Sequence, residues 1–400
     1  MRWHHGLGAA TLAACAAPAR VAAPTTPAPA SHVDSPVDPL RWAAVTASPS
    51  PDDLAPRERV AASALARCGG SDRALDATAR GVLLRKQRGY PIPAADELAI
   101  EQRAAGEPHP WGRAWVASGP GLDEGAALRD LDGWLSLDPG ARRRCGVAAG
   151  TAGDGTRTLV VVAVDALADL APLPTHARTG QWLSVDARMA VPARGGAVFV
   201  SGRTGPARAL LTSFDGTRLR ARFAPDHPDA FTVQVVADLG AGPRPVLEAM
   251  VYADLEPPAR PEDTAAPGES LPSRDGPDDD DLARMLDAAR LASGIPSLRR
   301  DPALDAVARE HAARAAAAGA LSHDLGDGNP VDRLLGAGLQ ARFTGENLAH
   351  ASTPSLAHRM LWASPSHRAN MLGASFDRVG VAVARDPRGD AWVVEEFAGP

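Results

Sequence analysis

Gly345-Glu346-Asn347-Leu348-Ala349 and, further on, Trp362-Ala363-Ser364-Pro365-Ser366-His367-Arg368-Ala369-Asn370-Met371-Leu372 are the stretches whose reading decides the fold. Outward from them the chain is well punctuated. A helical pattern starts at Leu282, with Asp278 to Asp281 supplying caps and negative charge at its N-terminus, and Gly294 closes it. Asp301-Pro302 opens a second helix with proline in the first turn, and Gly319 ends it. Leu304, Val307, Ala308, His311 and Ala315 share one face of that helix. Two β-type runs finish the chain, Arg378–Ala384 and Ala391–Phe397, separated by the turn Asp386-Pro387-Arg388-Gly389.

Further strings occur in the same region: Leu286-Asp287-Ala288-Ala289-Arg290, Gly294-Ile295-Pro296-Ser297-Leu298, Ser322-His323 and Val379-Gly380-Val381-Ala382. With the first two, and in this order, they resemble the CAP superfamily in its bacterial form. This is the SCP-like domain of cysteine-rich secretory and plant pathogenesis-related proteins. The resemblance covers residues 280–400. It implies an α-β-α sandwich, a small antiparallel sheet between helical layers, with a cleft that usually holds two His and two Glu. Some members bind zinc there; others bind sterols or other lipids, or act through protein surfaces. Catalysis is not a general property of the family. Carried over by motif, His323 matches the first histidine and Glu346 the glutamate of the Glu-Asn-Leu string. His367, in the bacterial Ser-Pro-x-His-Arg string, is the third cleft member. Trp362, Asn347 and Arg368 are structural residues around the cleft. The eukaryotic histidine of the His-Tyr-Thr-Gln string has no counterpart; Glu395 and Glu396 are candidate substitutes, facing opposite ways by strand alternation.

Two imidazoles and a carboxylate suit a divalent metal such as zinc with an open position. They also suit general acid–base work, or a polar ligand cleft without metal. A purely structural reading has them cross-link loops by hydrogen bonds, and the sequence leaves these readings open. His311 reads as a satisfied core histidine, and Asp324 and Asp327 as caps of the turn Leu325–Gly328. No cysteine falls in 280–400, and neither a Ser/His/Asp nor a Cys/His nucleophile set is evident.

Upstream the chain echoes itself. Ala74-Leu75-Asp76-Ala77-Thr78-Ala79-Arg80 nearly copies Ala303-Leu304-Asp305-Ala306-Val307-Ala308-Arg309. Trp134-Leu135-Ser136 and Arg144-Cys145-Gly146-Val147-Ala148 echo Trp362-Ala363-Ser364 and Arg378-Val379-Gly380-Val381-Ala382. Residues 56–166, helical from Arg57 to Arg88, therefore read as a degenerate CAP-like α+β domain. Val82 stands at the His311 position, and Ser136 to Arg142 replaces the Ser-Pro-x-His-Arg string without a histidine. Its cleft should be chemically silent, with Glu107 and His109 as loop residues. Residues 167–255 read as a small β-sandwich, with runs at Trp182–Ala190, Ala197–Ser201, Ala209–Phe214, Leu219–Phe223, Phe231–Leu239 and Val246–Tyr252. Residues 256–279 are an acidic, Pro-rich linker.

The N-terminus has a basic start, a short apolar run and small residues before Cys15, the pattern of an export signal. Leu12-Ala13-Ala14-Cys15 resembles the bacterial lipobox, which implies cleavage before Cys15 and lipid attachment to it. Residues 1–15 are thus signal and anchor, and 16–55 a disordered Pro-rich linker. The remaining Cys68 and Cys145 make an even pair for a disulfide in an oxidising compartment. A net charge of −6 and 4% aromatics argue against nucleic-acid partners, and no apolar run reaches membrane-spanning length. The expectation is an exported CAP-domain protein of the cell envelope or extracellular space, held to a membrane by its lipid anchor. It binds a lipid, a cell-wall component or a protein partner in the CAP cleft. The alternatives are a metal-dependent hydrolase using His323, His367 and Glu346, and a structural envelope protein.

Overall fold

The computed structural model describes residues 41–42, 59–68, 72–136, 142–240, 242–258, 264–271 and 277–400. It is a mixed α+β structure with several small sheets. Cys15 lies outside the described residues. None of the described helices is long and apolar enough to cross a membrane.

After β1 (Arg41–Trp42) comes a first unit: α1 (Arg59–Leu65), α2 (Arg73–Gln87), α3 (Ala95–Ala105), β2 (Arg113–Gly119), α4 (Glu124–Ser136), β3 (Arg143–Thr151) and β4 (Arg157–Asp165). The helical stretch expected from Arg57 to Arg88 forms two helices, and Asp72 caps the second by accepting from the amides of Ala74 and Leu75 at 2.8 and 3.4 Å. The strands run antiparallel in the order β2-β4-β3. The central strand β4 is apolar on both faces: Leu159, Val161 and Ala163 pack with α1 and α4, and Val160, Val162 and Val164 with α2 and α3. Cys68 and Cys145 form a disulfide between the end of α1 and β3.

The middle of the chain is β5 (Ala168–Leu170), β6 (Leu173–Pro174), β7 (His176–Ala177), β8 (Leu183–Met189), β9 (Gly195–Ser201), β10 (Arg208–Ala209), β11 (Thr212–Phe214), β12 (Arg218–Phe223), β13 (Asp229–Asp238) and β14 (Pro243–Ala253). Sheets β10-β9-β13-β14-β7 and β11-β12-β8-β5 share one core, Val185, Leu219 and Phe223 meeting Val200, Phe231 and Val233. The run expected at Ala209–Phe214 splits, its halves pairing in different sheets. β5, β6 and β7 are too short to show alternation in sequence. Arg41–Trp42, expected within a disordered linker, pairs antiparallel with β6; two residues leave no periodic signature.

The C-terminal unit is α5 (Asp278–Ala292), β15 (Arg299–Arg300), α6 (Pro302–Ala318), α7 (Pro330–Gly336), β16 (Phe343–Ala351), α8 (Pro354–Ala363), α9 (Pro365–Met371), β17 (Arg378–Arg385) and β18 (Ala391–Gly399). Its sheet order is β15-β17-β18-β16. α5, α8 and α9 cover the face carrying Val379, Val381, Val393 and Phe397; α6 and α7 cover the face carrying Ala382, Val394 and Ala398. This is the helix–sheet–helix layering expected for 280–400. Part of the expected linker 256–279 is docked: Ala266 enters the core, Pro267 O accepts from His358 Nε2 at 3.0 Å, and Glu269 pairs with Arg359 Nε at 2.9 Å.

The first and last units share contacts as well as strand order. The Val147 amide donates to Asp76 Oδ1 at 2.8 Å, and the Val381 amide to Asp305 Oδ1 at 2.8 Å. The Asp72 amide donates to Cys145 O at 3.2 Å, and the Asp301 amide to Val379 O at 2.9 Å. Gly146 lies so close to α2, and Gly380 to α6, that an added Cβ would collide with helix backbone at Leu75 and Leu304 respectively. The Ala74–Arg80 and Ala303–Arg309 strings thus make like contacts with the strand beneath them.

Candidate functional site

Strand register builds the site. β16 and β18 pair so that Glu346 lies opposite Glu396 and Asn347 opposite Glu395. Alternation sends the first pair towards α6 and α7 and the second towards α9.

On the first face Glu346 Oε1 meets His323 Nδ1 at 2.6 Å, and Glu346 Oε2 accepts from Arg333 Nη2. The same Arg333 nitrogen donates to Glu396 Oε1 at 3.0 Å. His311 Nε2 lies 3.8 Å from Glu346 Oε2, while its Nδ1 meets Asp327 Oδ2 at 2.8 Å. Burial pushes Glu396 well above the ordinary carboxylate range, and the charge of Glu346 adds to it. Burial also opposes ionisation of Glu346, but the hydrogen bond from His323 and the charges of His323, Arg333 and His311 outweigh it and hold this carboxyl low. The two carboxyls are thus pushed apart, Glu346 towards the ionised and Glu396 towards the protonated form, around a buried guanidinium.

On the second face Asn347 Nδ2 donates to Glu395 Oε2 at 2.9 Å and to His367 O at 3.1 Å. Burial lifts Glu395 to about 7, with the Asn347 bond opposing. Arg368 donates to Gly202 O at 2.8 Å and stacks over Trp362 at 4.4 Å, so it joins α9 to the middle sheets. His367 Nδ1 meets Ser364 Oγ at 2.8 Å. Burial, and then the charge of His323, push His367 down to about 3, so its ring is neutral.

His323 and Glu346 thus meet directly, whereas His367 Nδ1 bonds Ser364, and only the charge of His323 reaches its ring. Among the described residues the group whose ligand atoms all lie within 4.8 Å of one another is His350, Asp386 and Asp390, not the expected three. Both oxygens of Glu346 are engaged by His323 and Arg333. His323, Glu346 and His367 do not fit zinc as a donor set as they stand, because their ligand atoms do not all lie within 4.8 Å of one another. Nor do His350, Asp386 and Asp390 stand free: Arg388 reaches Asp386 at 3.2 Å and Asp390 at 3.6 Å, and Asp386 Oδ1 accepts turn amides. Asp324 and Asp327 accept amides of the Leu325–Gly328 turn, as expected, and Asp327 also holds His311. His311 is fully buried and satisfied, yet it borders the carboxylate pair.

His367 instead opens onto a cavity of 260 Å³ where all three regions meet. α3 and the 107–112 loop form one wall, Pro245 and Glu248 of β14 a second, and β16, α8 and α9 the third. A polar chain threads the junction: Arg103 Nη2 donates to Glu248 Oε2 at 3.2 Å, and Gln234 Nε2 to Glu248 Oε1 at 2.7 Å and Ser364 Oγ at 2.8 Å. Arg333 and Gln234 carried no sequence signal of this role. The Asn329-Pro330 cap marks α7 but not which of its side chains turns inward.

The model of the cysteine-rich secretory protein family, CAP, matches residues 283–397. No curated protein matches the chain. Among solved structures, an outer surface protein from Borrelia burgdorferi is 21% identical over 30% of this chain and 89% of its own, with a TM-score of 0.28. An extracellular SCP-domain protein from Bacillus anthracis is 18% identical over 54% of this chain and 64% of its own, at 0.28. A cysteine-rich secretory protein from Staphylococcus aureus is 12% identical over 58% and 84%, at 0.26. Residues 283–397 of this chain are a CAP domain.

Proposed function

We propose that this is an exported binding protein whose ligand site is the cavity at the junction of its three regions. The observation that carries this reading is the cavity itself, roofed by the first unit and walled by the CAP domain with the neutral ring of His367 in it. On this reading residues 59–165 are a diverged CAP-like copy that serves as a wall, and the two middle sheets are a small sandwich that joins the two. The His323–Glu346–Arg333 cluster supports the wall from behind. Export is supported by the N-terminal sequence pattern and by the disulfide, which belongs in an oxidising compartment. Attachment of lipid at Cys15 to hold the protein on an envelope membrane belongs to the same proposal. A metal-dependent hydrolase is the less favoured reading, since His323, Glu346 and His367 do not gather as one metal-sized group. The test is extraction of the chain purified from its own envelope, with mass spectrometry of what is released. A small molecule in near-stoichiometric amount, absent from the cavity-filled variant Ala363→Trp, is expected. Equal extracts from both proteins would refute the reading.

A further inference from the structure

The walls of the cavity say what class of molecule it takes; the inference rests on the reading that the cavity is a binding site. The ionisable side chains lining it are matched within the protein. Arg103 pairs with Glu248 at 3.2 Å, Arg359 with Glu269 at 2.9 Å, Glu107 with His109, and His350 lies 3.6 Å from Asp390. The remaining one, His367, is held neutral. An entering ion would give up its hydration and find no unmatched counter-charge, which is strongly unfavourable.

Size and shape narrow the class further. An apolar cavity of about 150 Å³ accepts benzene. At 260 Å³ this one has room for a body of about two fused rings. Ile100, Leu348, Leu356 and Met360 supply apolar surface from opposite walls. His367 Nδ1 is committed to Ser364, which leaves its Nε2 to meet a ligand; Glu107 Oε2 and His350 Nε2 also lack a hydrogen-bond partner, but both atoms are buried within the wall.

Trp111 also lines the cavity. It is 43% exposed, and its backbone sits in the left-handed region at φ 68°, uncommon for a bulky residue. Its Nε1 donates to Pro245 O at 3.3 Å, so the indole bridges from the first unit to the middle sheets. A strained aromatic kept at a cavity is a feature that binding explains and packing alone does not.

We propose that the junction cavity selects an uncharged, ring-bearing apolar molecule of about two-ring size with one hydroxyl or carbonyl group. His367 hydrogen-bonds that group, and Trp111 covers the ring.

The test is calorimetric titration of the full chain at neutral pH with three molecules that share one naphthalene body: 2-naphthalenemethanol, 2-naphthoate and 2-naphthylmethylammonium. The alcohol should bind roughly 30-fold or more tighter than either ion. Trp111→Ala should weaken it about tenfold, the worth of one aromatic contact. Ala99→Trp and Ala363→Trp fill the cavity from opposite walls, and each should abolish binding while circular dichroism shows a folded chain. If the ions bind as well as the alcohol and both filled variants stop them, the choice of an uncharged ligand is overturned and the cavity reading survives. If the alcohol binds equally to both filled variants, or none of the three binds, the cavity reading itself falls, and this inference with it.

Discussion

In the unit of residues 59–165, the positions in register with Glu346, Glu396, Asn347 and Glu395 are Ala114, Val162, Trp115 and Val161. The His311 position is Val82, which packs in one core with Val162. The same strand order and the same helix-to-strand contacts thus surround an apolar centre in one unit and a charged one in the other. The contrast separates two roles. Asp76 and Asp305, Gly146 and Gly380 hold helix to sheet in both units, so they belong to the fold. The charged cluster is dispensable to that architecture, because the first unit stands without it.

The strongest way to break the comparison is Glu346→Ala. It takes from the buried Arg333 guanidinium one of its carboxyl neighbours, leaving Glu396 at 3.0 Å and Asp327 at 3.9 Å, and breaking a buried ion pair from one side costs about 3–5 kcal/mol. Chemical denaturation reads the loss. Replacing Glu346, Glu396 and Arg333 together by Leu, Leu and Met copies the apolar solution of the first unit. That triple variant should equal or exceed the wild type in stability. A loss below about 1 kcal/mol for Glu346→Ala would mean that Glu396 and Asp327 take over the guanidinium.

Next in size is the disulfide, which only the first unit has among the described residues. Cys68 and Cys145 are 77 residues apart, and opening a loop of that length costs about 4 kcal/mol in chain entropy. Cys68→Ser with Cys145→Ser should lower a first-unit unfolding transition, followed by the fluorescence of Trp115. The transition of the CAP domain should move far less. Equal displacement of both would show that the two units unfold as one.

How much of this was legible follows from the same contrast. The CAP strings and their upstream echo could be read because Asp, Gly and Leu stand at the helix-to-strand contacts of both units. β2 and β16 escaped notice. Ala114 and Trp115, or Gly345 and Asn347, do not give the alternation or β-branched enrichment that marks a strand, because β16 is buried on both faces and β2 is mostly half-buried on both. His323 and Glu346 could be named from motif, and they meet. His367 could be named too, but its partner could not, since Ser364 is placed by Gln234 of a distant sheet. Arg333 was invisible, as an arginine on a short helix is ordinarily a surface residue.

A third prediction sharpens the contrast on the other face. Glu395 is raised to about 7 from an ordinary 4.5, so the native state takes up a proton that the unfolded chain does not. Its contribution to stability is complete below about pH 4.5 and is lost as pH rises through 7. Val161 gives the first unit no such term. Glu395→Gln keeps an oxygen for Asn347 and removes the ionisation, so it should gain about 3 kcal/mol at pH 8 and nothing at pH 4. Denaturation midpoints of the two proteins between pH 4 and 8 check this. Parallel curves would show that Glu395 titrates normally.

The smallest expected effect tests what the two units have in common. Gly146 and Gly380 each sit where a strand crosses directly beneath a helix, and neither has the positive φ that would call for glycine on backbone grounds. The constraint is space alone: an added methyl meets Leu75 and Asp76 in one unit and Leu304 and Asp305 in the other. Gly146→Ala and Gly380→Ala must therefore push α2 or α6 off its sheet, at about 1–3 kcal/mol each. The two losses should agree within about 0.5 kcal/mol if the packing is the same, since the polar cluster lies elsewhere on the helix. They should differ in what moves with the helix. α6 carries His311, whose Nδ1 is tied to Asp327, so Gly380→Ala should also shift the His311 ring resonances. Gly146→Ala should leave those resonances in place, because α2 carries Val82 at that position and belongs to a separate core. Unequal losses, or His311 shifts in both variants, would mean that the two helix–sheet crossings are not the same structure.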